Sequence, residues 1–132
     1  MPWDHIRLND GNFIPSIVFG TENLGNGQGP LDQVEQAISV GFGHIETAQG
    51  FQNEAEAGIA IRESGLARSD ICITTKYSGL NGLDIPTSMK NSFNNLGVTY
   101  VDLYLIHHPS LAIPDMATVW KQMEDLKRRG LT

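Results

Sequence analysis

Residues 96–109 read LGVTYVDLYLIHHP, and this stretch decides the fold. The most apolar run of the chain, residues 100–107, lies inside it and predicts a strand buried on both faces. A helical pattern precedes this run, with Met89, Phe93 and Leu96 at positions i, i+4 and i+7. A second helical pattern follows it. A strand enclosed by two helices at this spacing predicts parallel strands joined by crossover helices.

The same strand-then-helix unit repeats toward the N-terminus. Apolar or β-branched runs predict strands at residues 17–19, 44–47 and 71–77. Helices are predicted from Pro30 to Gly41, over residues 53–64, from Pro86 to Gly97, and from the N-cap Asp115 to Gly130. Before all of these, the pair Asp10-Gly11 predicts the turn of a small hairpin.

The predicted architecture is therefore a single α/β domain over residues 1–132, with a short hairpin followed by four βα units. Two arrangements fit this order. One is an open, doubly wound sheet. The other is half of an eight-stranded barrel, which needs about 250 residues when complete.

Composition and charge exclude several classes of protein. The chain carries 9 basic and 15 acidic residues, a net charge of −6, which argues against nucleic acid or anionic membranes as partners. The single cysteine, Cys72, cannot form a disulfide within the chain, and a reducing, cytoplasmic compartment is expected. The first ten residues lack the apolar segment of a signal peptide, and no long apolar window predicts a membrane span.

Three ionisable residues lie at the carboxyl ends of predicted strands, namely Glu46, Lys76 and His107. In parallel α/β folds this end of the sheet carries the functional site, so their convergence predicts acid–base chemistry. Structural roles remain open for each of them. Glu46 would then cap a turn, Lys76 would be a solvated strand end, and His107 would be a hydrogen-bonded core histidine.

No metal site is predicted. His107 and His108 are neighbours in the predicted strand and should face opposite ways, so they do not form a ligand pair. Cys72 is expected to be a small buried apolar group.

Four segments resemble the aldo-keto reductases. They are IPSIVFGTE, GFGHIETAQGFQNE, ITTKY and LGVTYVDLYLIHHP, which match the family's first strand, its aspartate–tyrosine segment, its catalytic-lysine strand and its catalytic-histidine strand. The resemblance runs from about residue 6 to residue 132. It implies a TIM barrel that uses NADP(H) to transfer hydride to or from a small carbonyl compound.

The resemblance also implies the roles of individual residues. The family's catalytic Asp, Tyr, Lys and His correspond to Glu46, Phe51, Lys76 and His107. Thr21 and Glu46 would approach the cofactor, and the residues expected to line a substrate pocket are Asn23, Tyr77 and His108.

Two catalytic positions depart from the family pattern. Phe51 has no proton to donate to a carbonyl oxygen. General acid catalysis contributes about 10²–10⁴ in rate, or about 3–5 kcal/mol of barrier, so efficient reduction is not expected unless His107 acts as the acid. Glu46 is one methylene longer than Asp, and a shift of ~1 Å at a reacting group can lower the rate by about 10².

The chain also matches only the first half of such a barrel. In the family most cofactor contacts follow the segment matched here, so this chain alone is expected to bind NADP(H) weakly or not at all. An open four-stranded sheet has two unpaired edges, and pairing of two copies into a closed barrel is predicted. The alternative is that the chain is a piece of a longer protein or the product of a truncated gene.

Three hypotheses for function follow. The first is a carbonyl reductase with altered chemistry. The second is a non-redox lyase, isomerase or cyclase in which Glu46, Lys76 and His107 perform acid–base chemistry without a cofactor. The third is a non-catalytic binding protein.

Overall fold

The N-terminal hairpin predicted at Asp10-Gly11 is present. A computed structural model describes residues 3–132, and residues 1 and 2 of the predicted domain lie outside the described part. Strand β1 (His5–Arg7) pairs antiparallel with β2 (Phe13–Pro15). Gly11 adopts a φ of +89°, a conformation that L side chains rarely take, which explains why glycine occupies the turn.

The four remaining strands form one parallel sheet in chain order, which confirms the predicted succession of βα units. These strands are β3 (Phe19–Gly20), β4 (His44–Glu46), β5 (Cys72–Tyr77) and β6 (Leu103–Ile106). The sheet order β3-β4-β5-β6 leaves β3 and β6 at the two edges. This order matches half of a barrel.

The prediction for the last strand was wrong in length and in burial. Strand β6 begins at Leu103, because the carboxylate of Asp102 accepts the Ile73 N–H at 2.8 Å in place of a strand carbonyl. Leu105 is 38% exposed, so the strand is not buried on both faces. The physical reason is that β6 is an edge strand whose inner face is uncovered.

The helices lie where the periodicity predicts them, with small shifts at their ends. They are α1 (Gln28–Ser39), α2 (Glu54–Glu63), α3 (Ile85–Leu96) and α4 (Met116–Arg128). Helix α1 begins before Pro30, because N–H groups of the first helical turn need no intrahelical partner. Asp115 caps α4 as predicted, accepting the Thr118 N–H at 2.8 Å.

The core lies between the outer face of the sheet and the helices. Ile45 and Ile73 are fully buried at its centre. Helices α2 and α3 approach so closely that a Cβ on Gly58 would lie 2.5 Å from the carbonyl oxygen of Leu96. Glycine is therefore required at this crossing.

The hairpin covers the amino-terminal end of the sheet. The indole N–H of Trp3 donates to the carbonyl oxygen of Gly41 at 3.1 Å, and Lys127 pairs with Asp10 at 2.6 Å. The carboxyl ends of the strands, where the predicted site residues lie, are at the opposite end. None of the helices within residues 3–132 has the length and apolar character needed to cross a bilayer.

Candidate active site

Glu46 and Lys76 meet at the carboxyl end of the sheet. Glu46 ends β4 and Lys76 lies on the adjacent strand β5, and their side chains form an ion pair with only 21% and 14% exposure. A Cβ on Gly20, which pairs with Glu46 across the sheet, would lie 3.2 Å from the second Glu46 carboxylate oxygen. Glycine at this position therefore leaves room for the longer glutamate side chain.

The aromatic ring of Phe51 contacts both Lys76 and His107. A one-turn 3₁₀ helix (Gln49–Phe51) follows β4 and places the ring 4.7 Å from the Lys76 ammonium. The ring centroid is 5.5 Å from that of His107, with the two planes nearly perpendicular. The four positions predicted as catalytic thus come together, and the ring of Phe51 offers a cation–π contact in place of a hydroxyl group.

A serine that the sequence analysis missed orients His107. Ser78 Oγ lies 3.0 Å from His107 Nδ1 and accepts the Gly50 N–H at 2.9 Å. This contact engages Nδ1 of His107 and leaves Nε2 free of the Ser78 bond. Ser78 follows the end of β5 at Tyr77, so strand alternation does not predict the direction of its side chain.

The surroundings of His107 favour its neutral form. Burial lowers the pKa of His107, and the nearby Lys76 and His108 lower it further against the opposing charge of Glu22. The pKa therefore lies below the ordinary value of 6.5, and the imidazole is uncharged at neutral pH. A neutral imidazole carries one N–H, so the tautomer protonated at Nε2 can donate a hydrogen bond to a ligand.

The expectation that His107 and His108 face opposite ways was wrong. Their rings stack with centroids 4.4 Å apart and planes 10° from parallel. Strand alternation does not apply to them, because β6 ends at Ile106 and both histidines follow it. His108 therefore lies beside the site, and its role in a substrate pocket stays a prediction. Within the described residues no cluster of His, Cys, Asp and Glu is arranged to hold a metal ion.

Burial also affects the two other titratable groups of β5. It lowers the pKa of the Lys76 ammonium, while the charge of Glu22 acts in the opposite direction. It raises the pKa of the Cys72 thiol to about 11, so this thiol is protonated at neutral pH and is a poor nucleophile.

Thr21 does not present its side chain to the mouth of the sheet. It is fully buried, and its hydroxyl group lies 2.8 Å from both Thr47 Oγ1 and Asn53 Oδ1. The amide nitrogen of Asn53 donates to the carbonyl oxygens of Thr21 at 2.7 Å and Gly25 at 3.0 Å. This burial argues against a direct cofactor contact by the Thr21 side chain, which instead positions the loop after β3.

Tyr77 also differs from its predicted role in a substrate pocket. Its ring packs against the core on the outer face of the sheet, and its hydroxyl donates to the carbonyl oxygen of Leu83 at 3.1 Å. Because side chains alternate along a strand, Tyr77 points away from the face that Lys76 occupies. Asn23 is exposed in the loop after β3, and its predicted pocket contact stays a prediction.

The residues present do not fit the phosphate groups of NADP(H). Among residues 3–132, Lys76 is the cation at this mouth, and Glu46 already pairs with it. Arg68 pairs with Asp102 at the opposite end of the sheet. Beside the Glu46–Lys76 pair, the anionic part of such a cofactor therefore meets a cation that already has a carboxylate partner.

This arrangement is half of a parallel (βα)8 barrel, with a glutamate–lysine pair and a neutral histidine at the carboxyl end of the strands. The model of the Aldo/keto reductase family matches residues 16–132, and the chain belongs to that family.

Known relatives extend beyond the region matched here. Methylglyoxal reductase DkgA of Salmonella typhimurium is 34% identical over 126 residues, which cover 96% of this chain and 46% of the relative. Aldehyde reductase YPR1 of Saccharomyces cerevisiae is 40% identical over 79% of this chain and 33% of its own length. The crystal structure of an aldo/keto reductase from Brucella melitensis is similar with a TM-score of 0.85 and 35% identity, over 98% of this chain and 51% of that one. The chain thus spans about half the length of the relatives it matches, or less.

Proposed function

We propose that this chain is the proton-handling half of an aldo/keto reductase that acts on small aldehydes or ketones. The observation that carries the proposal is the contact of Lys76 with Glu46 and with the Phe51 ring, which also contacts His107. Two relatives are named as methylglyoxal and aldehyde reductases, which supports a small carbonyl substrate. The poor fit of the cofactor phosphates means that NADP(H) would be held by the other half of the barrel.

The residues of this chain would act on the carbonyl oxygen. In the tautomer protonated at Nε2, His107 donates a hydrogen bond to it, while Nδ1 stays in contact with Ser78. The ammonium group of Lys76 stabilises the negative charge that develops there, and Glu46 holds Lys76 in place. Phe51 donates no proton, so the expected rate is about 10²–10⁴ below that of a site with a phenolic acid.

A kinetic comparison tests this proposal. The assembled protein is a barrel in which this chain is joined to a half that holds NADP(H). It should consume NADPH when methylglyoxal is added, and His107→Gln should abolish that consumption. His5→Gln, on the exposed strand β1, is the matched control. Titration of NADPH into the 132-residue chain should give weak binding or none. A rate unaffected by His107→Gln would refute the proposed role of this imidazole.

We propose further that the 132-residue chain by itself forms a dimer that closes the barrel. Such a dimer repeats the same residues, so it lacks a half that holds NADP(H), and it suits the cofactor-independent chemistry considered below. Strands β3 and β6 each have one open edge, and Leu105 on the inner face of β6 is 38% exposed. A two-fold arrangement of two copies would pair both edges and cover this face. Size-exclusion chromatography with light scattering should give a dimer, and a stable, monodisperse monomer would exclude it.

Cofactor-independent acid–base chemistry is the second candidate function. The phenyl ring of Phe51 and the missing partners for cofactor phosphates favour it. In this case product would form from an enolisable carbonyl compound without NADPH consumption, and His107→Ala would abolish it. Ligand binding that survives simultaneous substitution of Glu46, Lys76 and His107 would instead indicate a non-catalytic binding protein. A cytoplasmic location remains a prediction.

A further inference from the structure

A cavity lies beside the candidate site, and Gln49 and Gln52, which flank Phe51 in the chain, are among its lining residues. Its volume is about 660 Å³, and it is bordered by the turn after β4, the start of α2 and the last turns of α3. Seven of its thirteen lining residues are asparagine or glutamine. We call this cavity the amide groove.

The lining chemistry selects a neutral ligand. A carboxamide group both donates and accepts hydrogen bonds, as a hydroxyl group does, so several of them together match a molecule with several hydroxyl groups. The charged residues lining the groove are Glu54 and Glu56, and neither lysine nor arginine is among the described lining residues. This acidic lining disfavours phosphates and carboxylates.

The amides of α3 are arranged as a surface. Asn91, Asn94 and Asn95 are spaced i, i+3 and i+4, which places them on one face of the helix. The amide nitrogen of Asn95 donates to Glu54 Oε2 at 3.2 Å, and Thr75 donates to the other carboxylate oxygen at 2.6 Å. Glu54 is therefore held in place at the base of the groove.

A buried acceptor without a hydrogen-bond partner among the described residues borders the groove. Gln49 lines the groove with only 9% exposure, and its amide oxygen has no hydrogen-bond partner among the described residues. Buried amide oxygens are normally hydrogen-bonded. A ligand hydroxyl group in the groove would supply the donor after a rotation of the Gln49 amide.

We propose that the amide groove binds a neutral sugar or polyol. Its volume lies in the range of about 300–1,000 Å³ that is usual for small-molecule sites. Leu80 and Leu83 add an apolar wall for the C–H face of a sugar ring. The Gln49–Phe51 turn separates the groove from the catalytic mouth, so this inference does not depend on the proposed carbonyl chemistry.

Nuclear magnetic resonance of the ¹⁵N-labelled chain tests the proposal. Glucose, maltose and glycerol are titrated separately, and the side-chain NH₂ signals of the groove asparagines should shift with saturation. Asn94→Leu should weaken the binding about tenfold, since it removes hydrogen bonds worth about 1–1.5 kcal/mol. Gln122→Leu, which also replaces an exposed helix amide but on α4, should leave the affinity unchanged.

Three results would overturn the proposal. The first is the absence of saturable shifts with all three probes, and the second is equal affinity in the Asn94→Leu and Gln122→Leu variants. The third is tighter binding of inorganic phosphate, ethylamine or a neutral tetrapeptide, which would reject the ligand class. Backbone amide spectra recorded on the same samples establish that each variant is folded.

Discussion

Two polar clusters lie side by side at the carboxyl end of the sheet. They differ in charge and in how many of their hydrogen-bonding groups have partners within the protein. The cluster of Thr21, Thr47 and Asn53 is neutral, almost fully buried and internally hydrogen-bonded. In the cluster of Glu46, Lys76 and His107, the ion pair is partly exposed and the imidazole keeps one nitrogen free of the Ser78 bond.

This difference distinguishes polar groups that hold the structure in place from polar groups that can react with a ligand. Groups whose hydrogen bonds are all made inside the protein hold loops in place, since leaving a buried polar group unpaired destabilises the fold by about 1–3 kcal/mol. Groups that retain an unused donor or a mobile proton can act on a ligand. Substitutions in the first cluster should therefore change stability, and substitutions in the second should change activity.

The largest expected effect is a gain of function in the charged cluster. Phe51→Tyr places a hydroxyl group near Lys76, which can act as a general acid, and should raise the NADPH-dependent reduction rate of the assembled protein by about 10²–10⁴. Steady-state kinetics with methylglyoxal would measure it. Phe93→Tyr, on α3 and away from the mouth, controls for the added hydroxyl group. An unchanged rate would mean that the ring position does not reach the carbonyl oxygen.

Neutralising the ion pair should reduce activity without comparable loss of stability. The double substitution Glu46→Gln/Lys76→Met leaves no unpaired charge, and it should lower the rate by about 10²–10³, because the ammonium that stabilises the developing charge is removed. The free energy of unfolding measured in urea should change by less than about 1 kcal/mol. A protein that unfolds instead would show that the pair is structural, and the contrast between the two clusters would fail.

The opposite pattern is expected for the neutral cluster. Asn53→Ala removes the partners of Thr21, Thr47 and the Gly25 carbonyl oxygen together, and should lower the free energy of unfolding by about 2–4 kcal/mol. Chemical denaturation measures this change. Gln122→Ala, at an exposed helix position, provides the comparison value for loss of a surface amide. Equal values for the two variants would contradict a positioning role for Asn53.

The smallest effect concerns pH. Burial lowers the pKa of His44 below its ordinary value of 6.5, although the Pro15 backbone and Asp102 oppose the shift. Below pH 6.5 the unfolded chain therefore binds more protons than the folded chain. The contribution of His44 to the free energy of unfolding is fully present above that pH, and it is lost as the pH falls toward the lower pKa of the folded state. His107 shifts in the same direction and adds to the effect.

Unfolding free energies measured between pH 7 and pH 5 test this sign. His44→Gln retains a side chain able to bond Thr74 but cannot titrate, and should flatten part of the decrease. His5→Gln controls for the loss of a histidine. Stability that rises on acidification would contradict the direction of both shifts.

Local sequence patterns predicted the helices, strands and turns. They did not predict the features that depend on contacts between these elements. Asp10-Gly11 and Asp115 act through neighbours in the chain, and both predictions were confirmed. The late start of β6 depends on Asp102 reaching across to Ile73, which is not visible in local periodicity.

The same limit applies to the candidate site. Strand ends identified Glu46, Lys76 and His107, because parallel strands bring their carboxyl ends together. The role of Ser78 requires Gly50 from a different loop, and the burial of Thr21 requires Asn53, 32 positions away. The stacking of His108 became possible only because β6 ends before it.

The crossing of α2 and α3 at Gly58 gives these two helices a fixed separation. They form opposite walls of the amide groove, which therefore cannot widen or narrow without moving two backbones in contact. A methyl group at position 58 would clash with the Leu96 backbone and increase the distance between α2 and α3. The distance between the two walls of the amide groove therefore depends on the absence of a side chain at Gly58.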